Sequence, residues 1–130
     1  MIFNLFKTSP EREARRLNKD AMDILDMARH TYRESILSEI ARITREGLKQ
    51  LDDLAGEDEV QREREIDRYK ALHREARRQH NQSKLTAYSL VIIHSSGLKY
   101  ADLTLPTREA IDEFLDEWPP AEPPEGTLAG

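Results

Sequence analysis

The hydrophobic positions in the first half of the chain repeat with the period of an α-helix. Eleven steps cover the 40 residues from Ala14 to Leu54, an average of about 3.6 residues a step, which is the repeat of a straight helix. We therefore predict one helix, or two nearly collinear helices, over residues 10–55. The stripe consists of Ala14, Leu17, Ala21, Ile24, Ala28, Tyr32, Ile36, Ile40, Ile43, Gly47, Leu51 and Leu54.

Both ends of this helix carry start and stop signals. Ser9 is suited to the N-cap and Pro10 to the first helical position, and Gly56 is suited to the end. Gly47 interrupts the stripe from inside, where a glycine costs roughly 1 kcal/mol relative to alanine. Gly47 therefore predicts either a kink or a close crossing with another helix.

A second helix is predicted over residues 58–95, with a patchier apolar stripe. Because the loop around Gly56 is short, this helix is expected to run antiparallel to the first. That register places His80 near Glu34 and Lys84 near His30. The stripe consists of Val60, Ile66, Tyr69, Leu72, Ala76, Ser83, Ala87, Leu90 and His94.

The segment Leu85 to Ile93 is apolar on nearly every side. Such a segment must be covered all round, and two helices cannot do this. We therefore expect either the third helix or another subunit to complete its cover. An alternative remains open, because Thr86, Tyr88 and Val91 favour strands. Residues 85–105 would then form a β-hairpin, and the fold would be α+β.

The last part of the chain predicts a short helix and a tail. Residues 106–118 place apolar side chains on one face and acids on the other. Four prolines follow, so residues 119–130 are predicted to be a disordered, acidic tail. The predicted fold is all-α, a single domain over residues 1–118, with a long antiparallel helical hairpin and a short C-terminal helix. Exposed apolar faces predict assembly into a homodimer or a larger helical bundle.

Composition says more about the cellular compartment of the protein than about its activity. The 130 residues include no cysteine, which excludes disulfides, thiolate zinc sites and a cysteine nucleophile. The longest apolar run, Leu90 to Ile93, is too short to cross a bilayer, and residues 1–7 lack the pattern of a signal peptide. We therefore expect a cytoplasmic protein.

Charge is distributed unevenly. Residues 62–78 carry seven basic and four acidic side chains, whereas residues 109–125 carry seven acidic side chains and no basic one. The two regions are therefore expected to attract each other or partners of opposite charge. A basic stripe is the candidate binding surface for an acidic protein, while the net charge of −5 disfavours nucleic acid. The stripe consists of Lys70, Arg74, Arg77, Arg78 and Lys84.

The N-terminus is a second candidate binding surface. Ile2, Phe3, Leu5 and Phe6 precede a group of basic residues. This arrangement suits shallow contact with an anionic membrane. The same side chains would also close one end of the bundle or pair across a subunit interface.

Two further constellations bear on catalysis. His30, Glu34 and His80 would suit zinc if the predicted register holds, or would form a polar layer within the hairpin. The pairs Arg68–His73 and Arg74–His80 have a spacing that resembles the active-site motif of the HEPN ribonucleases. That resemblance implies an all-helical enzyme that cleaves RNA without metal, although Tyr69 and Glu75 stand where that family has a small polar residue.

No catalytic residue, cofactor or metal is assigned from these patterns. We expect a non-enzymatic module, an adaptor, chaperone-like or regulatory helical bundle, that binds another protein. A peripheral membrane protein that uses the N-terminal apolar side chains is one alternative. A helical ribonuclease is the other.

Overall fold

The computed structural model describes residues 9–55 and 59–120, and within those ranges the chain is helical and contains no strand. This confirms the all-α class. Each helix runs antiparallel to the one before it, so the first and the last helices are parallel. The helices are α1 (Pro10–Thr31), α2 (Glu34–Ala55), α3 (Glu59–Arg78), α4 (Gln82–Ser96) and α5 (Ala101–Glu117), with a 3-10 helix at Gly97–Tyr100.

Helix α4 lies at the centre of the bundle. It packs against α1, α2, α3 and α5, and Ala87, Leu90 and Val91 are completely buried. The cover that this apolar segment requires therefore comes from helices of the same chain. The homodimer stays a prediction. The alternative β-hairpin over residues 85–105 is wrong, because burial on all sides outweighs the strand preference of residues such as Val91.

The single helix predicted over residues 10–55 is two helices that reverse direction. Tyr32 adopts an extended conformation, with φ −100° and ψ 145°, and ends α1. The carbonyl of Arg33 then accepts the N–H groups of Ile36 and Leu37, both at 3.0 Å, and starts α2. The Tyr32 hydroxyl donates to Gln82 Oε1 at 3.2 Å. This hydrogen bond joins the end of α1 to the start of α4. If α1 and α2 were collinear, they could not both pack on α4, and part of α4 would be uncovered.

The helix predicted over residues 58–95 is also broken, at residues 79–81. His80 has φ 55°, the left-handed conformation. The N–H of His80 bonds to the carbonyl of Arg77, and that of Asn81 bonds to the carbonyl of Ala76, which is the Schellman pattern at a helix C-terminus. Asn81 Oδ1 then accepts the N–H of Lys84 at 3.1 Å and caps α4. The chain therefore reverses here, where a continuous helix was predicted.

Helix α5 begins earlier than the predicted residue 106. Pro106 lies inside it on the exposed side, and the Thr104 hydroxyl donates to the carbonyl of Tyr100 at 3.0 Å. At the other end, Arg45 Nη1 donates to the carbonyls of Leu115 (3.2 Å) and Trp118 (2.7 Å). This guanidinium caps the end of α5, where the Leu115 carbonyl also accepts the N–H of Trp118 at 3.2 Å. Residues 119 and 120 are irregular, and the rest of the predicted tail lies outside the described residues.

Gly47 marks a close crossing between helices, one of the two outcomes that the sequence predicts. A Cβ atom at Gly47 would lie 2.7 Å from Val91 Cγ2 and 3.2 Å from the Tyr69 hydroxyl. Val91 is buried, and a β-branched side chain has few alternative rotamers. The absence of a side chain at Gly47 therefore lets α2 approach α3 and α4.

We predict that Gly47→Ala lowers the free energy of unfolding by about 1 kcal/mol, because overpacking costs about 1–3 kcal/mol and helix propensity returns about 1 kcal/mol. In a Val91→Ala background the same change should be neutral or stabilising, since the methyl group that it meets is gone. Chemical denaturation of the four proteins in this double-mutant cycle measures the difference. Additive effects would contradict the close crossing.

We also predict that His80→Gly raises the free energy of unfolding by about 1 kcal/mol, because glycine adopts positive φ without the steric cost paid by other residues. His80→Val should lower it, since a β-branched residue is strained in this conformation. Thermal and urea denaturation report both changes. If the two variants shift stability equally, the left-handed turn is not present in solution.

Candidate functional site

A groove of about 680 Å³ runs over α4 between α1 and α3. Both of these helices pack on α4, and they have no packed interface with each other within residues 9–55 and 59–120. The groove therefore has α4 as its floor and one helix as each wall. We call it the α1–α3 groove. Its lining residues are Glu13, Arg16, Leu17, Asp20, Asp23, Ile24, Lys70, His73, Arg74, Ser89, Ile92, Ile93 and Ser96.

The floor of the α1–α3 groove is apolar. Ile92 and Ile93 come from α4, and Leu17 and Ile24 come from the inner face of α1. Ile24 and Ile92 are only partly buried, so the floor is a part of the α4 surroundings that residues 9–55 and 59–120 leave incompletely covered. Helix α4 has almost no polar side, so it needs neighbouring helices on every side. The apolar floor of the groove has the same cause.

The α1 wall carries an excess of negative charge. Glu13, Asp20 and Asp23 lie along it, with Arg16 between the first two. Arg16 pairs with Glu13 and, at 3.2 Å, with Asp20. The hydrogen bond from Arg16 holds the pKa of the Glu13 carboxyl below its usual value. The Glu13 carboxyl is therefore ionised at neutral pH.

The α3 wall carries positive charge from part of the predicted basic stripe. Lys70 and Arg74 line the groove, whereas Arg77 and Arg78 lie about one turn further along α3 and outside it. Arg78 pairs with Glu75 at 2.6 Å. Neither Arg74 nor Arg77 has an ion pair among the described residues. Lys70 has Asp67 of its own helix at 4.0 Å, so Arg74 is the cation of the α3 wall that is available for a ligand.

The predicted stripe is not one continuous surface. Lys84 belongs to α4, after the chain has reversed, and its charge acts on Glu39 of α2. The predicted attraction between the basic and acidic segments is also not realised as packing. The acidic helix α5 lies along α1, where Arg29 pairs with Glu117 at 2.8 Å, and it has no packed interface with α3 among the described residues.

His73 and Ser89 meet inside the groove. Their Nε2 and Oγ atoms are 3.0 Å apart, and the Ser89 hydroxyl also donates to the carbonyl of Leu85 at 2.9 Å. Burial lowers the pKa of His73, and the charges of Arg77 and Arg74 lower it further, so the ring is neutral at pH 7. Because the Ser89 hydroxyl donates to Leu85, its oxygen can accept a hydrogen bond from the His73 ring when the ring carries its proton on Nε2. The serine hydrogen then points away from the histidine, an arrangement that does not activate a nucleophile.

The residues proposed for a metal do not converge. His30 is exposed on α1, with Nδ1 2.8 Å from the carbonyl oxygen of Asp26, while His80 is exposed in the turn before α4. In the part of the chain that the structure describes, no group of three or more His, Cys, Asp or Glu side chains could hold a metal ion. The register that suggested such a group assumed two unbroken helices.

The arginine and histidine pairs are also separated. Arg68 bonds to Glu65 and to Gln50 of α2, while His73, five residues later, faces Ser89 of α4. Five residues correspond to about 140° around a helix, so the two side chains lie on different faces. The other pair is divided by the end of α3, which leaves His80 in the turn.

Comparison of the chain with protein-family models, with curated proteins and with solved structures gives no match. Among the described helices, none is both long enough and apolar enough to cross a bilayer. The N-terminal residues Ile2, Phe3, Leu5 and Phe6 lie outside the described residues. Among the described residues, the α1–α3 groove is therefore the candidate binding surface.

His94, near the end of α4, is the second histidine with a shifted pKa. Its side chain is 14% exposed, and Nε2 lies 3.1 Å from Asp112 Oδ1. Burial lowers the pKa of His94, and the nearby carboxylate of Asp112 opposes that effect only in part. The neutral ring therefore donates a hydrogen bond to Asp112.

We predict that the free energy of unfolding falls as the pH decreases from about 7.5 to 5.5. The unfolded chain takes up protons at histidines near pH 6.5, whereas folded His73 and His94 resist protonation, so acid favours the unfolded state. The slope for one such group cannot exceed about 1.4 kcal/mol per pH unit. Urea denaturation across this range measures it.

The variant His94→Gln should show a smaller loss of stability over the same range, while His30→Gln, which removes an exposed ring, should follow the unmodified protein. An unchanged slope in His94→Gln would mean that burial of this ring does not control the pH dependence.

Proposed function

We propose that the protein is a non-enzymatic interaction module of the cytoplasm, which binds another protein in the α1–α3 groove. The observation that carries the proposal is the groove itself, with a partly exposed apolar floor between two charged walls. Apolar area surrounded by charge is typical of protein-binding surfaces. The apolar floor would thus supply affinity for a partner, and the charged walls would supply specificity.

Chemistry in the groove supports binding over catalysis. The Ser89 hydroxyl donates its hydrogen to the carbonyl of Leu85, and the His73 ring contacts the oxygen of that hydroxyl. The carboxylates of the α1 wall are held by Arg16 and by Lys19, which reaches Asp23 at 2.9 Å. These groups are suited to recognising charge, and no pair of them is arranged as a nucleophile with its base.

The test compares two charge reversals on one helix. Arg74→Glu changes the α3 wall, and Arg77→Glu makes the same change one turn outside the groove. Both arginines are exposed and without an ion pair among the described residues, so neither reversal should affect folding. Proteins captured from the native cell by each variant are quantified against those captured by the unmodified protein.

We predict that a specific partner is reduced about tenfold or more by Arg74→Glu and little changed by Arg77→Glu. The same partner should be lost with Ile92→Ser, which shortens an apolar side chain on the floor, provided that circular dichroism shows the variant folded. Equal capture by Arg74→Glu and Arg77→Glu would contradict the assignment of the groove as the binding surface.

A further inference from the structure

The length of the α1–α3 groove corresponds to about three turns of an α-helix. The α1 wall from Glu13 to Ile24 spans about 16 Å at the helical rise of 1.5 Å per residue, or about three turns. Ser89 and Ser96 are small residues on the floor, and small side chains allow helix axes to approach to about 8–10 Å. A helix lying here would become a further neighbour of α4 and would cover Ile24 and Ile92.

The charges on the two walls are opposite. The α1 wall has three carboxylates, with Arg16 and Lys19 as their partners, and so keeps one excess negative charge. The α3 wall has Lys70, Arg74 and the neutral His73. A bound helix is complementary to both walls only if one flank of its apolar stripe is basic and the other is acidic. Its basic flank would face α1, and its acidic flank would face α3.

Opposite walls also have a consequence for orientation. Turning a helix end for end on the floor exchanges the flanks that face α1 and α3. A helix with one basic and one acidic flank therefore matches the walls in one direction and opposes them in the other.

We propose that the α1–α3 groove binds a single amphipathic α-helix of a partner protein, and that the opposite charges of its walls fix the direction in which that helix lies. This inference rests on the proposed function and specifies its ligand. The apolar face of the helix contacts Ile24, Ile92 and Ile93, and its flanks pair with the walls. The recognition is of the helix-in-groove kind.

Synthetic peptides of about 14 residues, or about 21 Å of helix, test the proposal. All share one leucine stripe at helical spacing and the same total of Lys and Glu. The first has Lys on one flank and Glu on the other, the second has the two flanks exchanged, and the third has both residue types mixed on each flank. Affinity is measured by titration at low salt, and direction is measured by NMR.

The first two peptides should bind with affinities within about tenfold of each other, because each can satisfy both walls in one of the two directions. A nitroxide at the N-terminus of the first should broaden amide signals at one end of the groove, near Glu13 or near Ile24. The same label on the second should broaden those at the other end. The mixed peptide should bind about tenfold more weakly.

A matched variant tests the source of the orientation. Lys70→Glu combined with Arg74→Glu makes both walls acidic, so the first two peptides should lose affinity and direction, while a peptide with Lys on both flanks should gain affinity. Arg64→Glu combined with Arg78→Glu changes the same helix outside the groove and should alter neither property.

Several results would overturn the inference. If the nitroxide broadens amide signals at the same end of the groove for both peptides, the walls do not orient the ligand. The same conclusion holds if the mixed peptide binds with the affinity of the first two. No peptide binding, combined with loss of a cellular partner in Arg74→Glu, would reject the helical ligand and leave the proposed function standing. Equal capture by Arg74→Glu and Arg77→Glu would reject both.

Two other occupants are distinguished by further measurements. If peptides bind only after residues 1–8 are removed, the groove belongs to the N-terminal segment of the same chain. If light scattering shows a dimer that Arg74→Glu dissociates, it belongs to a second copy. Either result excludes a partner helix as the natural ligand.

Discussion

A helix with almost no polar side is stable in water only when other elements surround it, and α4 imposes this requirement on the whole chain. Helices α2 and α3 pack along it, α1 and α5 complete the cover, and the chain reverses at Tyr32 and at His80 to bring them there. Gly47 allows α2 to approach α3 and α4 closely. At the α1–α3 groove the described helices leave part of the apolar surface open, so the candidate site and the core share one physical origin.

The extent of helix could be predicted from periodicity, but the direction of the chain could not. The residues on either side of the first reversal, Ala28 and Ile36, both face the core, so the apolar stripe keeps its phase across Tyr32. No glycine or proline marks that break. At the second break, Asn81 is a recognisable N-cap, but the turn places a histidine where glycine is the usual signal. At both breaks the local sequence is compatible with a continuous helix or with a turn, and packing against the other helices selects the turn.

The candidate site was only partly accessible to sequence reasoning. Lys70 and Arg74 could be identified as a basic surface, because their spacing on one helix face is visible in the sequence. Nothing in the sequence distinguishes the opposing acids, Glu13 and Asp20, from other charged residues on a helix surface. They become a wall only when α1 folds back beside α3, and the contact of His73 with Ser89 depends on the same reversal. A site made by three helices from distant parts of a chain leaves no local motif.

The first and last helices of the chain lie side by side in parallel. Asn18 Oδ1 accepts from the Thr107 hydroxyl across 89 positions, and Arg29 meets Glu117 across 88. During synthesis, α1 is therefore made first and obtains its main neighbour last, since such non-local contacts form late. Until α5 has been made, α1 lacks the helix against which it packs most extensively, so the α1 wall of the groove is not yet supported on that side. The α1–α3 groove therefore depends on both the first and the last of the described helices, and a nascent chain without α5 would present it incompletely.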